Sequence, residues 1–213
     1  MKLTDLDAAA EERRYDTLYR RGYPESGSVT RDAAYLRELI GGVPESVIDL
    51  GCGNGTAADK VGSPQYVGVD ISGYQVRKLK DDETRRRDSV RDGSRRRYFA
   101  GALHHLPYGA SAFEAGLCVD VLEHLPESAI APSLCEMVRV VRRVLVISVA
   151  TRPASTPSPD GGNLHRTVKD AGWWERAIVG KVEDMAGSPV GWDITRSSGW
   201  VRFGIRFGGD APE

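Results

Sequence analysis

VIDLGCGNGTAAD, residues 47 to 59, wraps an apolar run around one acid, Asp49, and then places three glycines within five positions. Glycine belongs where the main chain must approach a neighbour closely or adopt a positive φ. An apolar run ending in Gly51-Cys52-Gly53-Asn54-Gly55 reads as a strand, a bare turn and a helix start, with backbone N–H groups pointing outward. Nucleotide-bearing cofactors use such a turn, although glycine-rich turns also arise for steric reasons alone. A second mark sharpens the reading. YVGVD, residues 66 to 70, is a further strand, and it ends in Asp70, 19 positions beyond Gly51. An acid at that strand tip can accept hydrogen bonds from both hydroxyls of a ribose lying across the neighbouring tip.

Working outward, strand-like and helix-like segments alternate, which predicts a parallel sheet covered by helices on both faces. Residues 30 to 42 predict a helix ahead of the first strand, with Thr30 as the cap and Gly41-Gly42 as the stop. Residues 97 to 102, 113 to 122 and 143 to 150 supply a third, fourth and fifth strand. Residues 151 to 163, TRPASTPSPDGGN, are a Pro-, Ser- and Gly-rich loop. A helix follows over 167 to 182, then two strands at 191 to 197 and 199 to 207. The turn at Ser198-Gly199 is so short that this last pair must be antiparallel. The expected architecture is a Rossmann-like α/β fold: a doubly wound, mostly parallel, seven-stranded sheet with a C-terminal antiparallel hairpin.

The 213 residues suit one domain rather than two. Residues 1–29 form an N-terminal lid or cap segment, 30–150 the binding core, and 151–213 a substrate loop, helix and terminal hairpin. No apolar stretch approaches the ~18 residues that a membrane span requires. The first residues, MKLTDLDAAAEERRYD, place acids where a signal peptide needs an apolar run, so a cytoplasmic location is expected. Cys52, Cys118 and Cys135 form no CxxC pair, which indicates neither a disulfide framework nor a zinc site. Net charge is −1, yet Arg77 to Arg97 holds ten bases against five acids. Such a run is a solvated face laced with opposite charges, a loop, or an anion-binding patch.

VIDLGCGNG, YVGVDIS, LPYGASAFEAGLCVDVLEHLP and the terminal hairpin together resemble a class I S-adenosylmethionine-dependent methyltransferase, of the broad kind typified by ubiquinone-biosynthesis methyltransferases. The resemblance implies S-adenosylmethionine as the cofactor. It sets Asp49 under the methionine amino group, and Gly51, Cys52 and Gly53 against the methionine and sugar portions. Asp70 would hold the ribose hydroxyls and Ile71 would cover one face of adenine. The family's acid after the third strand is missing, because this chain reads Gly101-Ala102-Leu103. Ala102 and the backbone of Leu103 would meet the ring instead, at the loss of one hydrogen bond worth about 0.5–1.5 kcal/mol.

A sulfonium methyl is already activated, so the protein's work is alignment, which can supply roughly 7–11 kcal/mol. That chemistry requires no metal. A hydroxyl acceptor gains about 10²–10⁴ in rate from a base. All four histidines, His104, His105, His124 and His165, fall near carboxyl ends of strands, where open α/β sheets bind ligands. His165, on its long loop, is the first choice of base and His124 the second. By the resemblance, Asp120 stands beside the reactive methyl. Trp173 and Trp174 are core anchors or one wall of an acceptor pocket, and Tyr15, Tyr19 and Tyr23, four apart, suit a helical lid or a packed turn.

The Asn/Asp-Pro-Pro-aromatic motif of DNA amino-methylating enzymes is missing after the fourth strand, which reads Val119-Asp120-Val121-Leu122. Nor is there a Pro-Cys pair for attack on a pyrimidine. The expected acceptor is therefore a small molecule, methylated at oxygen. An RNA or sugar hydroxyl stays open as an acceptor, as does a partner protein that binds the cofactor without turnover.

Overall fold

The computed structural model describes residues 5–23, 27–89, 93–186 and 189–208. Its elements run α1 (Asp5–Arg20), α2 (Val29–Ile40), β1 (Ser46–Leu50), α3 (Ala57–Val61), β2 (Gln65–Asp70), α4 (Gly73–Ser89) and β3 (Arg95–Ala100). They continue with β4 (Phe113–Val119), a 3-10 turn (Leu122–His124), α5 (Glu127–Val140), β5 (Val141–Ala150), α6 (Ala171–Ala186), β6 (Pro189–Ser197) and β7 (Trp200–Phe207). One seven-stranded sheet has the order β3-β2-β1-β4-β5-β7-β6. Strands β1 to β5 pair in parallel, and β7 is antiparallel to both β5 and β6. The strand order reverses between β1 and β4, and at such a switch point the two diverging connections leave a crevice.

Parity along the strands sorts the core into two layers, because successive side chains point to opposite faces. Ile48, Val67, Leu145 and Ile147 pack with Leu134, Met137, Trp174 and Ile178 of α5 and α6. Val47, Tyr66, Leu117 and Val146 pack on the other face with Leu36, Val61 and Val76 of α2, α3 and α4. Each such fully buried aliphatic side chain contributes about 1.5–3 kcal/mol. Every residue of β1 and β4 is buried, as expected of central parallel strands covered on both sides.

Several boundaries differ from expectation for identifiable reasons. β3 begins two residues earlier than predicted, at Arg95, because an edge strand tolerates arginines. α2 starts at Val29, with Ser28 rather than Thr30 at the cap position. α6 starts at Ala171, not Thr167. The Thr167 N–H and hydroxyl donate to the carbonyls of Glu123 and Leu125 at 2.9 and 2.7 Å, which holds that residue outside the helix. Asp170 then caps the helix by accepting from the Trp173 N–H at 2.7 Å. The hairpin turn has the predicted length, with Ser197 opposite Trp200. The basic segment is laced with acids, its own and one from α3: Arg86 and Arg87 pair with Glu83, Arg85 with Asp82, and Arg96 with Asp59 of α3. Positions 90 to 92 of that segment lie outside the described residues.

Candidate active site

Strand β1 ends in a turn built from positive-φ glycines, Gly51 at 84°, Gly53 at 51° and Gly55 at 75°. At Gly51 a side chain is also sterically barred, since an added Cβ would lie 2.4 Å from Val121 Cγ2. The N–H groups here are not the outward donors expected from the sequence. Gly51 and Cys52 both donate to the Val69 carbonyl, at 2.7 and 3.0 Å, and Gly53 donates to Asp70 Oδ2 at 3.0 Å. The turn therefore offers a bare surface, stitched to β2, instead of a cluster of free donors.

Asp70 closes β2 and is fully engaged. Its Oδ1 accepts from the Ser72 N–H at 2.9 Å, and its Oδ2 accepts from Gly53 and from the Tyr19 hydroxyl at 3.3 Å. Burial raises its pKa, against the lowering pull of those three bonds. Asp49 lies beneath the turn, where it accepts from the Tyr66 hydroxyl. Burial pushes it up to about 7, and it stands on the wall of neither cavity described below.

Two cavities meet at the switch point. The larger, about 530 Å³, is walled by Cys52, Gly53 and Asn54 on the turn side and by Asp120, His124 and His165 opposite. The smaller, about 120 Å³, runs between Asp70, Ile71, Ala102 and Leu103 and the α1 side chains Tyr15 and Tyr19. Tyr19, Tyr23, Gly51, Asp120 and His124 border both. Ten of the eleven candidate site residues thus converge on one crevice, and Asp49 lies under it.

Asp120 sits at the tip of β4 with φ 54°, a left-handed conformation uncommon outside glycine. Its Oδ2 accepts from the Ser28 hydroxyl at 2.6 Å, which ties the start of α2 to the strand tip. The 3-10 turn then delivers Glu123 and His124, both buried. Glu123 Oε1 accepts from the Ala150 N–H at 2.9 Å, while its Oε2 is buried with no hydrogen-bond partner. Burial pushes its carboxyl up to about 8, with Asp120 adding to the rise. Burial drives His124 down to about 3, with His165 lowering it further.

His165 comes from the loop after β5 and reaches His124 edge-on, with ring centroids 4.7 Å apart. The loop is fastened rather than free. Ser158 accepts from Arg14 Nε of α1 at 2.8 Å, and Thr167 is held on the 3-10 turn as described above. Each imidazole turns Nδ1 toward a main-chain carbonyl, His124 toward Leu164 at 3.3 Å and His165 toward Arg152 at 2.6 Å. A carbonyl only accepts, so both Nδ1 atoms carry the proton and both Nε2 atoms keep a lone pair. Burial lowers the pKa of His165 as well.

The sequence reading passed over Glu123, whose signal is its place beside His124 immediately after a strand tip. It also passed over Arg31, Arg152 and Trp200, which border the large cavity. The tryptophan pair does not wall the acceptor cavity: Trp174 is fully buried in the core with Trp173 packed against it, and neither borders either of the two cavities described. His104 borders the small cavity and His105 neither.

The arrangement fits S-adenosylmethionine. A turn without side chains, a carboxylate at the next strand tip and a narrow pocket with Ile71 and Leu103 on its walls match, in order, its amino-acid, ribose and adenine parts. The fold is the Rossmann-like one. Residues 48–146 match the family model described as a methyltransferase domain. That match spans a little under half of the chain and is consistent with a class I S-adenosylmethionine-dependent methyltransferase domain.

Solved structures share the fold at low identity. A 1,6-didemethyltoxoflavin-N1-methyltransferase from Burkholderia thailandensis, with its substrate and S-adenosylhomocysteine bound, is 17% identical with a TM-score of 0.70, over 97% of this chain and 91% of that one. The (4+2)-cyclase SpnF is 17% identical with a TM-score of 0.62, over 84% of this chain and 80% of the other. The small RNA methyltransferase HEN1 is 12% identical with a TM-score of 0.66, over 87% of this chain but 26% of that one. No curated protein matches the chain in sequence. Among the described residues no helix is long and apolar enough to cross a membrane.

Proposed function

We propose that the protein transfers the methyl group of S-adenosylmethionine to a hydroxyl of a small molecule held in the larger cavity. S-adenosylmethionine supplies a methyl group on a positively charged sulfur, already activated for displacement. The protein contributes alignment and a place for the departing proton. In this reading Gly51, Cys52 and Gly53 hold the methionine and sugar portions through their main chain. Asp70 holds the ribose hydroxyls, Asp49 supports the amino-acid end from below, and Ile71, Ala102 and Leu103 enclose adenine.

The observation that carries the oxygen assignment is the orientation of His165. Its Nδ1–H is spent on the Arg152 carbonyl and the residue borders the larger cavity, so its remaining nitrogen, Nε2, is the one free to take a hydroxyl proton. His124 is the second candidate for that proton and the weaker one, because burial holds its imidazole in the neutral form and makes protonation costly. Asp120 is oriented by Ser28 at the junction of the two cavities. Arg31 and Arg152 on the same wall favour an acceptor that carries negative charge.

The toxoflavin-precursor and small-RNA enzymes share this fold, so fold alone does not choose between acceptor classes. The ion pairs across the basic segment favour the small molecule, because Arg85, Arg86, Arg87 and Arg96 are each engaged by an acid of the same chain. The test is transfer of radiolabelled methyl onto a metabolite extract and, separately, onto RNA. Label in the metabolite pool, lost in His165→Ala with S-adenosylhomocysteine affinity retained, is the expected result. Label in RNA instead moves the acceptor to a polynucleotide hydroxyl. Label in neither pool leaves a cofactor-binding protein without turnover.

A further inference from the structure

Glu123, His124 and His165 each present one donor atom to a common point, with all three atoms within 4.8 Å of one another. Each of the three can supply a lone pair once Glu123 has given up its proton. The two imidazoles set Nδ1 against the carbonyls of Leu164 and Arg152, which leaves Nε2 of each as the nitrogen with a lone pair. Glu123 Oε1 is spent on the Ala150 N–H, and its buried Oε2 has no hydrogen-bond partner. A buried acceptor without a donor costs about 1–3 kcal/mol, and such a group calls for an explanation. A cation supplies one. An Nδ1–H held by a backbone carbonyl is also the outer support that metal-ligating histidines characteristically have.

We propose that Glu123, His124 and His165 bind one divalent transition-metal ion of the Mn2+, Co2+ or Zn2+ type on the wall of the acceptor cavity. Two imidazoles and one carboxylate suit those ions, whereas Mg2+ and Ca2+ prefer an all-oxygen set. Donors about 2.1 Å from a tetrahedral ion stand ~3.4 Å apart, so atoms lying within 4.8 Å of one another contract by at most about 1.4 Å on binding. His165, on a loop, is the member able to make that move. Asp120, on the same wall, adds negative charge to the site. Arg14 is engaged by Glu11 and Ser158, and Arg31 and Arg152 border the same cavity. Three protein ligands leave a coordination position facing the cavity, and the acceptor hydroxyl is its occupant.

This inference deepens the hydroxyl-methylating reading and rests on it for the last step only. With the hydroxyl as a further ligand its proton is released to solvent more readily. Its oxygen pair then forms the new O–CH3 bond as the S–CH3 bond breaks, and S-adenosylhomocysteine leaves. His165 Nε2 would then be a ligand and not the base, since one lone pair cannot serve both.

The test needs neither acceptor nor turnover. The full chain, freed of metal with a chelator, is titrated with Co2+ and followed by its visible absorption, with Mn2+ titrated in parallel by electron paramagnetic resonance. One ion per chain is expected, with affinity lowered at least about tenfold in both Glu123→Gln and His165→Ala. The glutamine variant keeps the oxygen that holds the Ala150 N–H, and S-adenosylhomocysteine calorimetry verifies that each variant retains the cofactor site. No saturable signal, or equal affinity in the parent chain and both variants, overturns the metal site and leaves the methyltransferase reading intact. Loss of S-adenosylhomocysteine binding by the parent chain is the separate result that would sink that reading.

Discussion

The Tyr19 hydroxyl donates to Asp70 Oδ2 at 3.3 Å, so a side chain of α1 occupies the carboxylate that a ribose needs. The bond is made from the wall of both cavities, which, with the nucleoside placed as proposed, makes α1 its cover. A ribose hydroxyl must displace Tyr19 or share the oxygen with it. Tyr19→Phe removes the competitor at the cost of one hydrogen bond of about 0.5–1.5 kcal/mol in the free protein. S-adenosylhomocysteine is therefore expected to bind roughly 2- to 10-fold more tightly to the variant by calorimetry. Weaker binding would make Tyr19 a cofactor ligand instead.

Asp70→Asn should act in the opposite direction. The amide keeps one oxygen for the N–H groups of Ser72 or Gly53 and loses the charge that strengthens bonds to both ribose hydroxyls. Hydrogen bonds to charged groups contribute about 1.5–3 kcal/mol each, so a loss of at least ~10-fold in cofactor affinity is expected, with some fall in the thermal midpoint because the amide NH2 then faces one of those N–H donors. Unchanged affinity would remove Asp70 from the ribose site.

At Gly51 two faults of a larger residue can be separated. Gly51→Ala puts a methyl 2.4 Å from Val121 Cγ2 and forces alanine into φ 84°. The left-handed conformation alone costs about 1–2 kcal/mol. Adding Val121→Ala to Gly51→Ala should recover the part due to the clash and not the part due to the backbone. Denaturant titration of both single variants and the double variant measures the coupling. Strict additivity would mean that the strand tip moves aside freely.

How much of this could be read from the residues depends on how far apart the interacting partners lie in the chain. The bare turn and Asp70 belong to consecutive strands whose tips adjoin by construction, so their spacing carries the information. The hairpin is legible because a two-residue turn permits one pairing only. The meeting of Glu123 with His165 is a different matter. It depends on the path of the loop after β5, set by Arg14 on Ser158 and by Thr167 on the 3-10 turn, and no periodicity encodes that path. Likewise the four-residue spacing of Tyr15 and Tyr19 marks a helix face, while the fact that this face covers Asp70 emerges only in three dimensions.

Asp120 combines an unfavourable backbone with a place at the junction of the two cavities, and the proposed role beside the reactive methyl would give that strain a purpose. Asp120→Gly relieves the left-handed strain of about 1–2 kcal/mol and forfeits the bond from Ser28, about 1.5–3 kcal/mol. The two nearly offset, so folding stability should change by less than about 2 kcal/mol. Methyl transfer should nevertheless fall at least ~10-fold, because the group oriented at the junction of the cavities is gone. Stability and turnover that both stay at the parent level would make Asp120 a linker between α2 and β4 and nothing more.

The buried pair Glu123 and His124 sets a pH window for stability. Burial raises Glu123 from 4.5 to about 8, so the folded chain holds a proton that the unfolded chain has released above pH 4.5. Its contribution is complete below that value and is lost as pH rises toward 8. His124 runs the other way. Its pKa falls from 6.5 to about 3, so its contribution is complete above 6.5 and is lost as pH drops toward 3. Below 6.5 the two slopes oppose each other and partly cancel. From 6.5 to 8 Glu123 acts without that opposition, and each pH unit removes about 1.4 kcal/mol. Asp49, raised from 3.8 to about 7, adds to the fall in the lower part of that window, equally in the parent chain and in a Glu123 variant. The stability difference between the parent chain and Glu123→Gln isolates the glutamate. Urea unfolding across that window, with chelator present, should give a difference that shifts against the parent chain by about 1.4 kcal/mol per unit and levels off above pH 8. Parallel curves would mean that the Glu123 carboxylate is already ionised inside the fold and finds its counter-charge there.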